Sequence, residues 1–166
     1  MKKNNPVVLL LLILIMGTVS ACGFGGKSDD DASALEYNGV TFSIKDENMD
    51  NVYAAFGEPE DTEGDRPGYY YTFDSGMVGV SSFIINEIYE DRRQEFPDMI
   101  SIKDERIKTS KGIGVGSAEE EVKTAYGKAE AFDLDGMSIL SYSFDGYQMV
   151  FVVDKTVVEI QYVRGS

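Results

Sequence analysis

The chain has 166 residues, 43% of them hydrophobic and 11% aromatic, a composition and length that fit one globular domain rather than a disordered chain. Fifteen basic residues stand against 29 acidic ones, a net charge of −14, and histidine is absent. That sign argues against nucleic acid as a partner, because such binding rests on Lys and Arg neutralising phosphates. The missing imidazole also removes the usual general base near neutral pH and the commonest metal ligand.

The chain opens with Lys2 and Lys3 and an unbroken apolar run over residues 7–16. A bilayer span needs about 20 such residues, so the run reads as the hydrophobic region of a signal peptide occupying residues 1–21. It ends in Val19-Ser20-Ala21-Cys22, which resembles the bacterial lipobox. The resemblance implies cleavage before Cys22, a diacylglyceryl thioether on its sulfur, and lipid anchoring on the extracytoplasmic side of the cell envelope. Losing Lys2 and Lys3 leaves 13 basic against 29 acidic residues, a net charge of −16. Residues 22–34, rich in Gly, Ser and Asp, form the expected tether, and the folded domain is expected over residues 35–166.

Within that domain the chain repeats itself. "VYAAFGEPE" (52–60) aligns with "VKTAYGKAE" (122–130), and "YTFD" (71–74) with "YSFD" (142–145). Met77, Val78 and Val80 then align with Met149, Val150 and Val152, and Glu87-Ile88 with Glu159-Ile160. The fold expected is α+β: two tandem units of about 70 residues (37–98 and 99–164), each a short helix followed by an antiparallel meander, with the sheets joined or side by side and the helices on one face.

In chain order, the first helix is expected from about residue 46 to 56, capped by Asp46 or Asn48 and closed by Gly57. "YYYTF", the turn Asp74-Ser75-Gly76, "MVGVSS" and "FIINEIY" supply the first meander, and residues 90–111 read as a connector. The second helix starts at a capping box, Ser117-Ala118-Glu119-Glu120, and closes at Gly127. A polar loop leads to "ILSYSF", where Leu140, Tyr142 and Phe144 alternate with Ile139, Ser141 and Ser143. Asp145-Gly146 is a hairpin signal; "YQMVFVV", a turn at Asp154-Lys155 and "TVVEIQYV" complete the chain.

Several motifs suggest chemistry and fall short of it. "GIGVGSAEEE" at 112–121 looks like a phosphate loop, but the third fingerprint position is Ser117 and the first copy of the segment, "KDENMDNV", has no glycine. No nucleotide and no other cofactor is expected. "DLDG" at 133–136 lacks the carboxylate that a calcium loop needs at its twelfth position, which is Phe144, so no metal site is expected. With no histidine, and Cys22 assigned to lipid, no catalytic group of residues can be assembled, and the chain is read as non-enzymatic.

The duplication also assigns faces. Tyr71, Phe73, Val78, Val80 and Ile88, with Tyr142, Phe144, Val150, Val152 and Ile160, are expected to face the helices. The opposite parity carries Tyr70, Met77, Phe83, Ile85 and Tyr89 in the first unit and Tyr147, Met149, Phe151 and Val157 in the second. An apolar outer face of that size would mark an interaction site, or else would be core beneath a loop or the 90–111 connector. A helix ending in "AFGEP" or "AYGK", a hairpin-rich sheet and a tandem copy together resemble the β-lactamase-inhibitor-protein-like fold. That fold is shared with small bacterial envelope lipoproteins of the outer-membrane small-protein-A type. The resemblance implies protein binding through the sheet, with Asp74 in the hairpin loop that would reach the partner. The function expected is therefore a lipid-anchored protein-binding module with an envelope or extracellular protein as partner. The alternative is a small-ligand or peptide-binding lipoprotein with a pocket between the two units.

Overall fold

The computed structural model describes residues 32–65, 68–87 and 92–165. A two-stranded hairpin comes first, β1 (Ala34–Tyr37) and β2 (Val40–Ser43), joined by Asn38-Gly39 with φ of 51° and 76°. Two successive positive φ angles are what a type I′ hairpin demands, and Asn-Gly supplies them at least cost. Helix α1 (Asp50–Phe56) follows, then β3 (Asp61–Asp65), β4 (Gly68–Phe73), β5 (Val78–Glu87) and β6 (Arg92–Ile102). Helix α2 (Glu119–Tyr126) precedes β7 (Glu130–Leu134), β8 (Met137–Phe144), β9 (Tyr147–Asp154) and β10 (Thr156–Arg164).

The expectation of an α+β chain built as two helix-plus-meander units is corrected by this arrangement. Among the described residues the fold is mostly β, with two α-helices of only 7 and 8 residues, and β3 to β10 form one continuous antiparallel sheet. Its order is β3-β4-β5-β6-β10-β9-β8-β7, so β6 and β10 meet in the middle, with Ile102 opposite Ile160 and Ile100 opposite Tyr162. The expected connector over 90–111 is corrected with it, since residues 92–102 are a central strand. Pro97 is accommodated there because the β5–β6 register shifts beside Ser81 and Ser82, which places Asp98 in a bulge.

One face of the sheet carries everything else. Val52 and Ala55 of α1, Val122 of α2, Leu35 and Phe42 of the hairpin, and Ile107 and Ile113 of the 103–118 loop pack with Tyr71, Phe73, Val80, Ile100, Leu140, Phe151 and Tyr162 into one core. Phe56 stands at its first corner, 4.9 Å from Tyr37, 5.1 Å from Phe42 and 5.6 Å from Phe73 between ring centroids. Tyr126 has the matching place on α2, 5.4 Å from both Tyr142 and Phe151. Both helices end alike, on a glycine whose N–H bonds back into the last turn: Gly57 to Tyr53 at 2.7 Å and Gly127 to Lys123 at 2.8 Å. Their starts differ from expectation. Met49 and Ala118 occupy the N-cap positions, while Asn48 accepts from the Asp50 N–H and the Glu121 carboxylate accepts from the Ala118 N–H.

Candidate interaction face

Alternation along antiparallel strands sends neighbouring side chains to opposite faces, and the register shows which reach the side away from the helices. Tyr70, Ser81, Met99, Val163 and Gln148 form one transverse row there, and Thr72, Gly79, Ser101, Gln161 and Val150 the next. A third runs Glu159, Val152, Ile139, Phe132. The middle of this outer face is polar. Glu159 accepts from Ser101 and Gln161, both at 2.7 Å, and lies 3.7 Å from Lys103. Tyr70 covers Gly79 so closely that a Cβ there would sit 2.1 Å from the phenol oxygen. Burial raises the Tyr70 pKa, and the charges of Glu159 and Glu63 raise it further.

Toward β7 the face turns apolar. Ile139, Val150 and Val152 form a second buried cluster with Leu134 and Met137, separate from the main core. Phe132, directly across from Ile139, is 39% exposed.

At the β4–β5 end, the turn Asp74-Ser75-Gly76 has three successive positive φ angles, 50°, 56° and 83°. L-residues adopt that conformation at a cost, and polar contacts hold the turn. Glu60 accepts the Ser75 N–H with both carboxylate oxygens, at 3.0 and 2.9 Å. Arg106 bonds Asp74 on one side and Asp104 on the other, while its guanidinium lies 5.1 Å from the Tyr37 ring centroid. The hydrogen bonds from Arg106 hold the Asp104 carboxyl below its usual range, against the opposing effect of burial. With Met77, Lys103, Glu105 and Val115 these groups line an open cleft of about 460 Å³. Among the described residues, no group of three or more His, Cys, Asp and Glu side chains is placed to hold a metal ion.

The sequence-predicted face is brought together only in part. Tyr70 is on the outer face, Asp74 is in the turn, and Met77 and Phe83 are 39% and 41% exposed, Phe83 resting 5.9 Å from Phe96. Ile85 is placed by its backbone alone, opposite Gln94. Tyr89 and Cys22, like the whole signal and lipobox segment, lie outside the described residues. The second-unit assignment is corrected: Tyr147, Met149, Phe151 and Val157 are buried in the main core, whereas Val150 and Val152 face outward.

The cause is an odd slip of the residue match at the turn. Phe73 pairs with Val78 across a four-residue link, but Phe144 pairs with Tyr147 across two. The spatial counterpart of Val78 is thus Tyr147, three residues from the aligned Val150, and an odd slip reverses every side chain. Val157 is turned inward by a second bulge, which leaves Val158 as the extra residue. Sequence reasoning missed the Phe132 strip and Arg106. For the strip a signal existed: "EAFDLDGMSIL" flanks an Asp-Gly pair, and Asp135-Gly136 closes β7–β8 with φ of 52° and 82°.

No protein of curated function matches the chain. Among solved structures it is similar to a DUF4309 family protein, YjgB, from Bacillus subtilis subsp. subtilis str. 168, at 20% identity and a TM-score of 0.46, covering 77% of this chain and 84% of that one. It is also similar to a cysteine-rich secretory protein, SAV1118, from Staphylococcus aureus subsp. aureus Mu50, at 10% identity and a TM-score of 0.46. That match covers 70% of this chain and 43% of the other, so the chain spans less than half of that protein's length. Residues 31–164 match the model of the domain of unknown function DUF4309, and the chain belongs to that family.

Proposed function

We propose that the chain is a membrane-anchored extracytoplasmic lipoprotein, with lipid on Cys22, whose β domain is a non-catalytic protein-binding module acting through the outer sheet face. The observation that carries this reading is the asymmetry of the sheet. The helices, the β1–β2 hairpin and the 103–118 loop all pack into the core on one side. The other side meets no helix or strand among the described residues, and Phe83 and Phe132 stand exposed on that parity, with Met77 exposed at its margin. Surfaces that keep aromatic and Met side chains in contact with solvent are characteristic of interface cores. A small-ligand role has less support. The cleft at Asp74 lies beside one turn rather than between the two halves of the sheet, and Arg106 within it is already paired with Asp74 and Asp104.

Cross-linking on intact cells tests the reading. The double variant Met77→Asp, Phe83→Asp is expected to keep the native circular dichroism spectrum and lose the adducts that the wild type forms. Equal adducts from both proteins would refute the face, and an unfolded variant would return those residues to the core. Labelled fatty acid is expected in the wild type and absent from Cys22→Ala; label retained by the variant would refute the anchor.

A further inference from the structure

We propose that strand β7 is a docking edge that takes up an extended partner segment of alternating apolar and basic residues by strand addition. This rests on the protein-binding reading above and specifies the edge and the chemistry of the partner. The sheet ends in two strands, β3 and β7, and only one is closed to pairing. In β3 every residue is exposed, and Asp61, Glu63 and Asp65 share one face, opposite Thr72, Tyr70 and Gly68. The Asp61 carboxylate accepts the Thr62 N–H at 2.8 Å, and Gly64 has a φ of 105°. Charge, a self-capped amide and a distorted backbone are the usual means of blocking an edge, and β3 offers a strand no apolar surface to bury.

Strand β7 differs on each point. Leu134 and Met137 flank a two-residue loop with two positive φ angles, so they form the hydrogen-bonded closing pair of a hairpin. By alternation, Phe132 and Glu130 also bond inward to β8, and Ala131 and Asp133 turn their N–H and C=O groups to the outside. Residues 130–133 are all exposed. Phe132 and Leu134 lie on the outer face beside Ile139 and Val152, so an added strand would continue that apolar strip. Asp133 projects from the opposite face, and Glu130 borders the strip. A partner strand that places apolar side chains beside Phe132 and Leu134 and basic ones beside Asp133 satisfies both faces, because opposite charges across a strand pair are stabilising. The net charge of −14 disfavours a second copy of this chain and steers basic segments toward it.

The test uses the full-length protein in detergent and a blocked hexapeptide of alternating valine and lysine, with a valine–glutamate hexapeptide as control. The lysine peptide is expected to slow amide exchange at Ala131 and Asp133 and to bind at least about tenfold more tightly than the control at low salt. Ala131→Pro removes one outward N–H without touching the β8 ladder, and is expected to abolish binding. Equal binding of the two peptides, protection at Thr62 instead of Ala131, or unchanged binding by Ala131→Pro would overturn the proposal. The exchange map on the wild type decides the matter even where the proline variant fails to fold. A silent peptide alongside adducts lost in the Met77→Asp, Phe83→Asp protein would sink the edge alone. A bound peptide alongside adducts unchanged in that protein would sink the face and leave the edge standing.

Discussion

The β4–β5 and β8–β9 hairpins begin from nearly the same four residues, Tyr-Thr-Phe-Asp and Tyr-Ser-Phe-Asp, and then part company. In the first, Asp74, Ser75 and Gly76 all take positive φ and the strand resumes at Val78; in the second, only Gly146 does, and it resumes at Tyr147. The long turn is held by Glu60 and Arg106, and the short one by the stack of Phe144 on Tyr147 at 4.8 Å. A turn shorter by two residues leaves the faces of the next strand unchanged, but residue matching adds one residue there instead, and the resulting slip of three reverses which side chains are read as core.

The strongest way to break that comparison is to charge one residue from each hairpin. Phe151→Asp buries a carboxylate in the core and is expected to cost about 4 kcal/mol or more in urea unfolding, enough to threaten folding. Met77→Asp, which the aligned parity would treat as its equal, is expected to stay within about 0.5 kcal/mol of wild type.

A middle-sized effect separates the pinned turn from the free one. Arg106→Ala leaves the buried Asp104 carboxylate without its guanidinium and is expected to lower the urea midpoint at neutral pH, by less than Phe151→Asp does. Because the folded state lowers the Asp104 pKa, its contribution is complete above the unfolded carboxylate value of about 3.9. It is lost as pH falls through the lowered folded value. Acid titrations should show that limb in the wild type and flatten it in Asp104→Asn; identical limbs would remove the ion pair from the account.

The smallest effects concern backbone strain. Ser75→Gly relieves a non-glycine residue at φ 56° and is expected to raise stability by about 0.5 kcal/mol, while Gly146→Ala imposes that conformation and should cost about 1 kcal/mol. Thermal melts of the two variants should move in opposite directions.

Much of the second half was legible in sequence because its signals agree with one another. "ILSYSF" alternates, Asp145-Gly146 marks the turn, and the structure keeps Leu140 and Tyr142 on the core face with Ile139 and Ser141 opposite. The central strand β6 was hidden because "RRQEFPDMISI" carries Pro97 and four charges, features that ordinarily argue against a buried strand. A bulge absorbs the proline, and Glu95 is used as a polar anchor, accepting from Tyr71 and Ser82, both at 2.6 Å. A bulge is a tertiary accommodation with no local signature, and neither bulge could be read in advance. The candidate face was half visible: Tyr70, Met77 and Phe83 were found by parity, and Phe132 was lost inside what reads as a polar loop.

The pairing of β6 with β10 bears on how the protein is made. The strand that joins the two halves is the last of the ten to emerge during synthesis, and its partner lies 58 residues upstream where Ile102 meets Ile160. Until then β6 is an open edge on an incomplete sheet, the kind of intermediate that favours misassembly. Loss of the final strand would therefore cut the molecule through its centre rather than trim its margin.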